Sequence, residues 1–305
     1  MTSLALTLLR GAALSPFKRR PPRPEAAPPA GTHTGHIRTD IQQLIAYERL
    51  CGFAPEHEGT RNDAPLPLPY PHILAFPLTM RLMAARDFPL PLLGLVHTSV
   101  EIVQHRALLP DEELEVTTYT EKLTPHRRGT EATVVTHVAV GGTPVWESHS
   151  TYLSRHRRTT GTTSAPAPPA EPDPLPALAD WRLPADLGRR YAAVSGDRNP
   201  IHLYPLTARL FGFPRAIAHG MWTLARCVAE HRREAGAGAG ADSSGSPTPQ
   251  YVSAHFKSIV LLPGVVTYAA DSEAFELRGP SGRVHLTATT KAPESDQLPD
   301  RLPGR

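Results

Sequence analysis

Between Ser195 and Met221 the chain gathers residue types that do proton chemistry. Asp197, Asn199, Pro200 and His202 follow directly after Ser195-Gly196. Gly196 permits a sharp turn, so the Asp197 carboxylate is displayed on a turn instead of a regular helix face. Pro200 fixes its own φ and biases Asn199 towards an extended conformation, which stiffens the loop between acid and imidazole. A carboxylic acid and an imidazole this close can work as a general acid/base pair once burial brings their pKa values towards the working pH. Further on, His219 precedes Gly220-Met221 at the opening of a helical pattern. A glycine there offers an unhindered backbone N–H, aided by the helix dipole, to an oxygen that gains negative charge. The catalytic candidates are therefore Asp197, His202 and Gly220. Asn199, whose amide does not titrate near neutrality, is a supporting residue that orients water or the Asp197 loop. Ser195 lacks a G-x-S-x-G elbow and reads as a small turn residue, and His219 as a residue that shapes the helix start.

The order Tyr191, Val194, Ser195, Gly196, Asp197, Asn199, Pro200, Ile201, His202, Ala208 resembles the hydratase signature of the MaoC-like, R-specific enoyl-CoA hydratases and 3-hydroxyacyl-thioester dehydratases. Ile217-Ala218-His219-Gly220 fits the second block of that family. The resemblance implies an α+β fold of the hot-dog type, in which a long helix is wrapped by a curved antiparallel sheet. It implies a reaction too: reversible hydration of a trans-2-enoyl thioester to the (R)-3-hydroxyacyl thioester, or the dehydration. The implied partner is coenzyme A or an acyl carrier protein bearing the acyl chain, with no metal and no redox cofactor. Two other readings stand beside it. A non-catalytic acyl-thioester-binding accessory subunit has no need to keep the Asp197, His202 and Gly220 set. A hot-dog thioesterase is not expected to carry the Asp–Asn–Pro–Ile–His order.

The elements that must position these residues are legible in outline. A helix is expected from Asp40, with Ile41, Leu44, Ile45 and Leu50 at near-helical spacing and Gly52 to end it. A second, rich in Leu and Met, spans Ile73 to Ala85. Strands are expected over 96–103, 113–121, 131–140 and 144–153. The order then recurs: a helical piece over 185–194 ending at Gly196, the motif on a loop, a helix from Gly220 to about Arg233, and strands over 252–260, 265–272 and 283–291. The Gly-Ala and Ser-Gly-Ser runs of 235–250 read as a disordered insertion.

The recurrence extends to single residues. Tyr47, Leu50, Cys51 and Gly52 share the spacing of Tyr191, Val194, Ser195 and Gly196. His72 precedes the first Leu/Met helix much as His219 precedes the second, and Leu108-Leu109-Pro110-Asp111 echoes Leu261-Leu262-Pro263-Gly264. Three matches in the same order point to a duplicated unit. In the first half, however, Phe53 stands for Asp197, Glu58 for His202 and Ile73 for Gly220. That pattern resembles the double hot-dog members of the family, whose N-terminal repeat shapes the acyl tunnel while the C-terminal repeat is catalytic. The expected division is a Pro/Arg-rich flexible arm at 1–35, a non-catalytic repeat at 36–155, a linker at 156–180, the catalytic repeat at 181–293 and a tail at 294–305.

Bulk properties exclude some classes. With Lys+Arg 32 against Asp+Glu 29 the net charge is +3, which gives no general nucleic-acid footprint. The basic clusters at Lys18-Arg19-Arg20 and Arg155–Arg158 read as solvated linker, with phosphate contact as the alternative. No apolar run reaches the roughly eighteen residues of a membrane span. At the apolar start the first basic residue, Arg10, follows the apolar stretch, a poor secretory pattern that leaves a transit peptide open. The two cysteines, Cys51 and Cys227, read as buried thiols in a cytoplasmic setting. His97, His105, His126 and His137 lack metal-ligand spacing and read as strand-face or solvated residues. Lys257, Arg215 and Arg198 are candidates for the phosphates of a carrier, with a plain surface charge as the alternative for each. Whether two chains pair as a homodimer is left open.

Overall fold

The computed structural model describes residues 31–57, 64–92, 94–156, 174–238 and 250–290. The first half runs β1 (Thr32–Ile37), α1 (Ile41–Cys51), α2 (Tyr70–Ala84), β2 (Leu95–Gln104), β3 (Leu114–His126), β4 (Gly129–Val140) and β5 (Thr143–Arg155). The second runs β6 (Ala177–Leu183), α3 (Leu187–Ser195), α4 (Pro200–Leu203), α5 (Pro205–Leu210), α6 (Gly220–Gly238), β7 (Gln250–Phe256), β8 (Gly264–Ala270), β9 (Ala274–Arg278) and β10 (Val284–Thr289). All ten strands join in one sheet of order β1-β3-β4-β5-β2-β7-β10-β9-β8-β6. Read inward from either edge, each half places its first, third, fourth, fifth and second strand in that order. The halves meet at an antiparallel seam between β2 and β7, with Ser99 opposite His255 and Ile102 opposite Val252. The duplication expected from the residues is thus the architecture.

Local chemistry explains where the helices stop and start. Asp40 caps α1, its carboxylate accepting from the N–H groups of Gln42 and Gln43 at 2.8 and 3.2 Å. Gly52 ends α1 at φ 82 and Gly196 ends α3 at φ 76, the left-handed C-cap that glycine adopts at least cost. Helix α2 is buried on nearly all sides, which is why its sequence shows no polar stripe. Helix α6 sends Leu224, Ala225, Cys227 and Val228 into the core.

The two halves share one apolar cluster, in which the Tyr47 ring lies 4.9 Å from Tyr70 and 6.4 Å from Tyr191. Polar ties cross the same boundary: Gln43 Nε2 donates to the Val194 carbonyl at 2.6 Å and Trp222 Nε1 to the Leu50 carbonyl at 3.2 Å. Both cysteines are free and buried. Among the described residues no helix is long and apolar enough to cross a membrane.

Several elements differ from the sequence expectation. Strand β1 begins at Thr32, inside the stretch read as arm, and β6 begins at Ala177, inside the stretch read as linker. Both are edge strands that pair on one side only, and their half-exposed alternation carries little apolar signal. Strand β9, only five residues long, was not anticipated. Its preceding turn is closed by Asp271, whose carboxylate accepts from the N–H groups of Glu273 and Ala274. Helix α6 continues to Gly238, past Arg233 and into the expected insertion. The motif loop holds two short helices, α4 and α5. Glu58, residues 1–30 of the arm, 157–173 of the linker, 239–249 of the insertion and the whole tail lie outside the described residues.

Candidate active site

The site grows from the end of α3. After Gly196 turns the chain, the Asp197 N–H donates to Ser195 Oγ at 3.2 Å, so Ser195 is the turn residue expected. The Asp197 carboxylate accepts from the Asn199 N–H at 3.1 Å, and Asn199 Oδ1 accepts from the Ile201 N–H at 3.4 Å, capping α4. Asn199 therefore braces the loop between acid and imidazole, with Pro200 at the first helical position. One turn on, His202 points inward, 9% exposed, with Nδ1 2.8 Å from the Ile217 carbonyl. A carbonyl can only accept, so Nδ1 carries the proton and the Nε2 lone pair is left for substrate.

His219 closes the arrangement from the other side. Its Nε2 donates to the Asp197 backbone carbonyl at 3.0 Å, and its ring stacks on His202 with centroids 3.7 Å apart. Its own carbonyl accepts from the N–H groups of Trp222 and Thr223, so His219 shapes the start of α6 as expected. Gly220 is the first residue of that helix, where an N–H has no intrahelical acceptor. A side chain at Gly220 would meet the Phe256 ring at 3.0 Å, so the glycine serves packing as well as access. Asp197, Asn199, His202, His219 and Gly220 thus come together. Arg215 and Lys257 are both exposed: Arg215 donates to the Pro263 carbonyl at 3.1 Å, and Lys257 follows Phe256, whose ring lies against Gly220.

Burial sets the electrostatics. It raises the Asp197 carboxyl above its usual range, against the opposing pull of His202 and the Asn199 N–H. It lowers His202 below the ordinary imidazole value, with the Asp197 charge working the other way. His219 is lowered well below that value by burial and by neighbouring His202. An acid inclined to keep its proton thus faces a base inclined to stay neutral.

The sequence reading missed the wall opposite. His97, on β2 of the first half, was read as a strand-face or solvated histidine, yet its ring is boxed in by Tyr152 at 4.6 Å, Phe256 at 5.0 Å and His72 at 6.0 Å. Burial pushes His97 down to about 3, and its Nε2 is enclosed without a hydrogen-bond partner. The phenol of Tyr152, raised by burial, also feels the Asp197 charge, which brings β5 of the first half to the site. This wall depends on the β2–β7 pairing and on a bulge between His97 and Ser99. Local spacing carries no signal for either.

The donor atoms of Asp197, His202 and His219 all lie within 4.8 Å of one another. A carboxylate with two imidazoles is a set that suits a divalent ion. Two of the four imidazole nitrogens are already committed to carbonyls, leaving His202 Nε2 and the buried, unpartnered His219 Nδ1.

Comparison with known proteins agrees with this geometry. Residues 164–279 match the MaoC like domain. The chain is 34% identical over 277 residues to 3-hydroxyacyl-thioester dehydratase X of Mycobacterium tuberculosis, a match covering 88% of this chain and 92% of that protein. A crystal structure of HtdX from that organism superposes with a TM-score of 0.68 at 33% identity, covering 85% of this chain and 98% of the other. A MaoC-like dehydratase from Phytophthora capsici gives 0.65 at 18% identity, over 88% and 97%. A Mycobacterium tuberculosis protein with a double hotdog fold gives 0.53 at 10%, also over 88% and 97%. The last two likenesses are of fold alone. With one relative matched over most of its length and both repeats reproduced in space, this chain belongs to the MaoC-like dehydratase family, in its double hot-dog form.

Proposed function

We propose that the chain is a hydro-lyase that interconverts trans-2-enoyl and (R)-3-hydroxyacyl thioesters in acyl-chain metabolism. The observation that carries this reading is the His202 ring, fixed through Nδ1 with Nε2 free, within 4.8 Å of an Asp197 carboxyl that burial inclines to keep its proton. In hydration, Nε2 takes a proton from water as the oxygen bonds to C3. The protonated Asp197 delivers its proton to C2, and the Gly220 N–H supports the charge that builds on the thioester oxygen. The imidazolium and carboxylate left behind return to the starting pair by one proton transfer. Dehydration reverses each step, and none of them calls on a metal or a redox cofactor.

The second repeat supplies the chemistry and the first supplies the His97–Tyr152 wall. On this reading the units at 36–155 and 181–293 each begin with an added edge strand. The substrate is the thioester of coenzyme A or of an acyl carrier protein, and two buried free thiols suit the cytoplasm.

The test follows the ultraviolet absorbance of crotonyl-CoA and a longer enoyl-CoA with wild type, Asp197→Asn and His202→Ala, with and without a chelator. Loss of absorbance by wild type alone, giving an (R)-3-hydroxy product and unaffected by chelation, is the expected result. Equal rates in all three proteins would remove Asp197 and His202 from the mechanism. Chelator-sensitive turnover would put an ion among the three donors. Saturable binding without turnover would turn the reading to an accessory subunit.

A further inference from the structure

The chain between His202 and Ile217 leaves the core and returns to the point it left. The Ile217 N–H donates to the Ile201 carbonyl at 3.1 Å, and the Ile217 carbonyl holds His202 Nδ1, so the neck of the excursion is the catalytic imidazole itself. Thr207 Oγ1 ties α5 to the Pro200 carbonyl at 2.6 Å. Helix α5 is amphipathic the wrong way round for a monomer. It buries Ala208 and turns Leu206 and Leu210, an i,i+4 pair, to solvent at 71% and 78% exposure. Tyr204 and Phe211 extend the same surface at 52% and 41%. Four large apolar side chains exposed within eight residues mark this excursion as a candidate interaction surface.

The charge carried by the excursion is one-sided. From Arg198 to Ala218 the sequence has three arginines and neither Asp nor Glu. Arg198, Arg209 and Arg215 are exposed on the excursion and its base. A second copy docking symmetrically on this patch would set arginine against arginine. The phosphates of a free nucleotide carrier would answer the arginines and leave Leu206 and Leu210 in water.

We infer that this excursion is the docking surface for an acidic carrier protein, which seats an apolar contact on Leu206 and Leu210 between the arginines while its thioester arm reaches the site at the neck. The inference rests on the hydratase reading and specifies the carrier. It is tested with the host's acyl carrier protein, loaded with a crotonyl phosphopantetheine arm, beside crotonyl-CoA. The variants are Leu206→Ser with Leu210→Ser, and separately Arg209→Glu. Turnover of the carrier-protein thioester should fall about tenfold or more in each variant, as for loss of an interface anchor, while crotonyl-CoA turnover stays within about twofold. Binding of the loaded carrier protein, read by fluorescence anisotropy, should weaken in parallel.

A common fall for both substrates, or no fall for either, overturns the docking surface. So does an oligomer that the Leu variant splits, which would make the patch a contact between copies. Turnover of crotonyl-CoA without carrier-protein binding sinks the docking proposal and leaves the hydratase reading standing. Carrier-protein binding that the variants weaken, with no turnover of either thioester by wild type, does the reverse.

Discussion

The two repeats use one chain path for opposite ends. Each ends its first helix on a left-handed glycine, Gly52 or Gly196, and each follows with a loop that holds a histidine. In the first repeat that histidine is wholly committed. His57 Nδ1 lies 2.6 Å from Glu48 Oε1 and its Nε2 2.9 Å from the Ala64 carbonyl, with both side chains at most 2% exposed. Phe53, at the position of Asp197, stacks on Tyr47. In the second repeat His202 has one nitrogen fixed and one free, beside a carboxylate that is 28% exposed. The difference is in valence. A histidine with both nitrogens bound pins a loop, whereas one with a single nitrogen bound is oriented and still able to move a proton.

The comparison breaks most visibly if the free imidazole is dispensable. His202→Ala and Asp197→Asn should each lower kcat/KM for crotonyl-CoA by about 10²–10⁴-fold, the usual range for a positioned acid or base. Circular dichroism should stay close to wild type, because no strand pairing runs through either side chain, while His202→Ala lowers the thermal midpoint through the lost bond to the Ile217 carbonyl. The reciprocal change, Phe53→Asp, should leave the rate of wild type unaltered and give His202→Ala no recovery. A rescue would show that the first repeat can host the chemistry after all.

The next effect belongs to the first repeat and should appear in stability instead of rate. Glu48→Ala leaves His57 buried without its partner, and breaking a buried pair from one side typically costs about 3–5 kcal/mol. Urea unfolding should show that loss, while turnover per folded molecule is kept. A large fall in turnover with unchanged stability would mean that the Glu48–His57 pair serves the reaction.

These contrasts also show what the residue order could reveal. The Asp197–His202 spacing, the helix-ending glycines and the His219-Gly220 pair are local, so the loop and the side chains it brings together are legible in the sequence. The Glu48–His57 pair is local too, nine residues apart, but neither residue stands at the position of Asp197 or His202 in the second repeat, so the recurrence carries no signal for it. The His97, Tyr152 and Phe256 wall was out of reach. Those side chains meet because β2 pairs with both β5 and β7, and because a bulge sits beside His97. The edge strands β1 and β6 escaped for another reason: one polar face and one-sided pairing leave too weak an alternation to read.

A smaller effect separates access from packing at the start of α6. In the first repeat Ile73 follows His72 and is buried, whereas Gly220 lies against the Phe256 ring. Gly220→Ala puts a methyl 3.0 Å from that ring, and the ring must shift. The expected cost is about 1–3 kcal/mol, as for other overpacked sites, shared between stability and kcat/KM. Unchanged kinetics with lowered stability would assign Gly220 to packing alone.

The finest test asks whether the second repeat's pair is electrically coupled, as a proton-moving pair must be and a loop pin need not be. Burial lowers the His202 pKa and the Asp197 charge pulls it back up. The sign follows wherever Asp197 is ionised: Asp197→Asn then removes the negative charge that favours imidazolium, so His202 should titrate lower still. The neutral base then survives to more acidic pH. His219, stacked on His202 and lowered well below the ordinary value by burial, is followed as a separate ring. Proton NMR of the His202 ring in wild type and Asp197→Asn reads the displacement directly, without needing residual activity. A downward move shows that the ionised Asp197 carboxylate acts on His202, as the return of the proton from imidazolium to carboxylate after turnover requires. An unmoved titration would mean that Asp197 holds its proton throughout the His202 titration, and a raised one that no Asp197 charge reaches the ring.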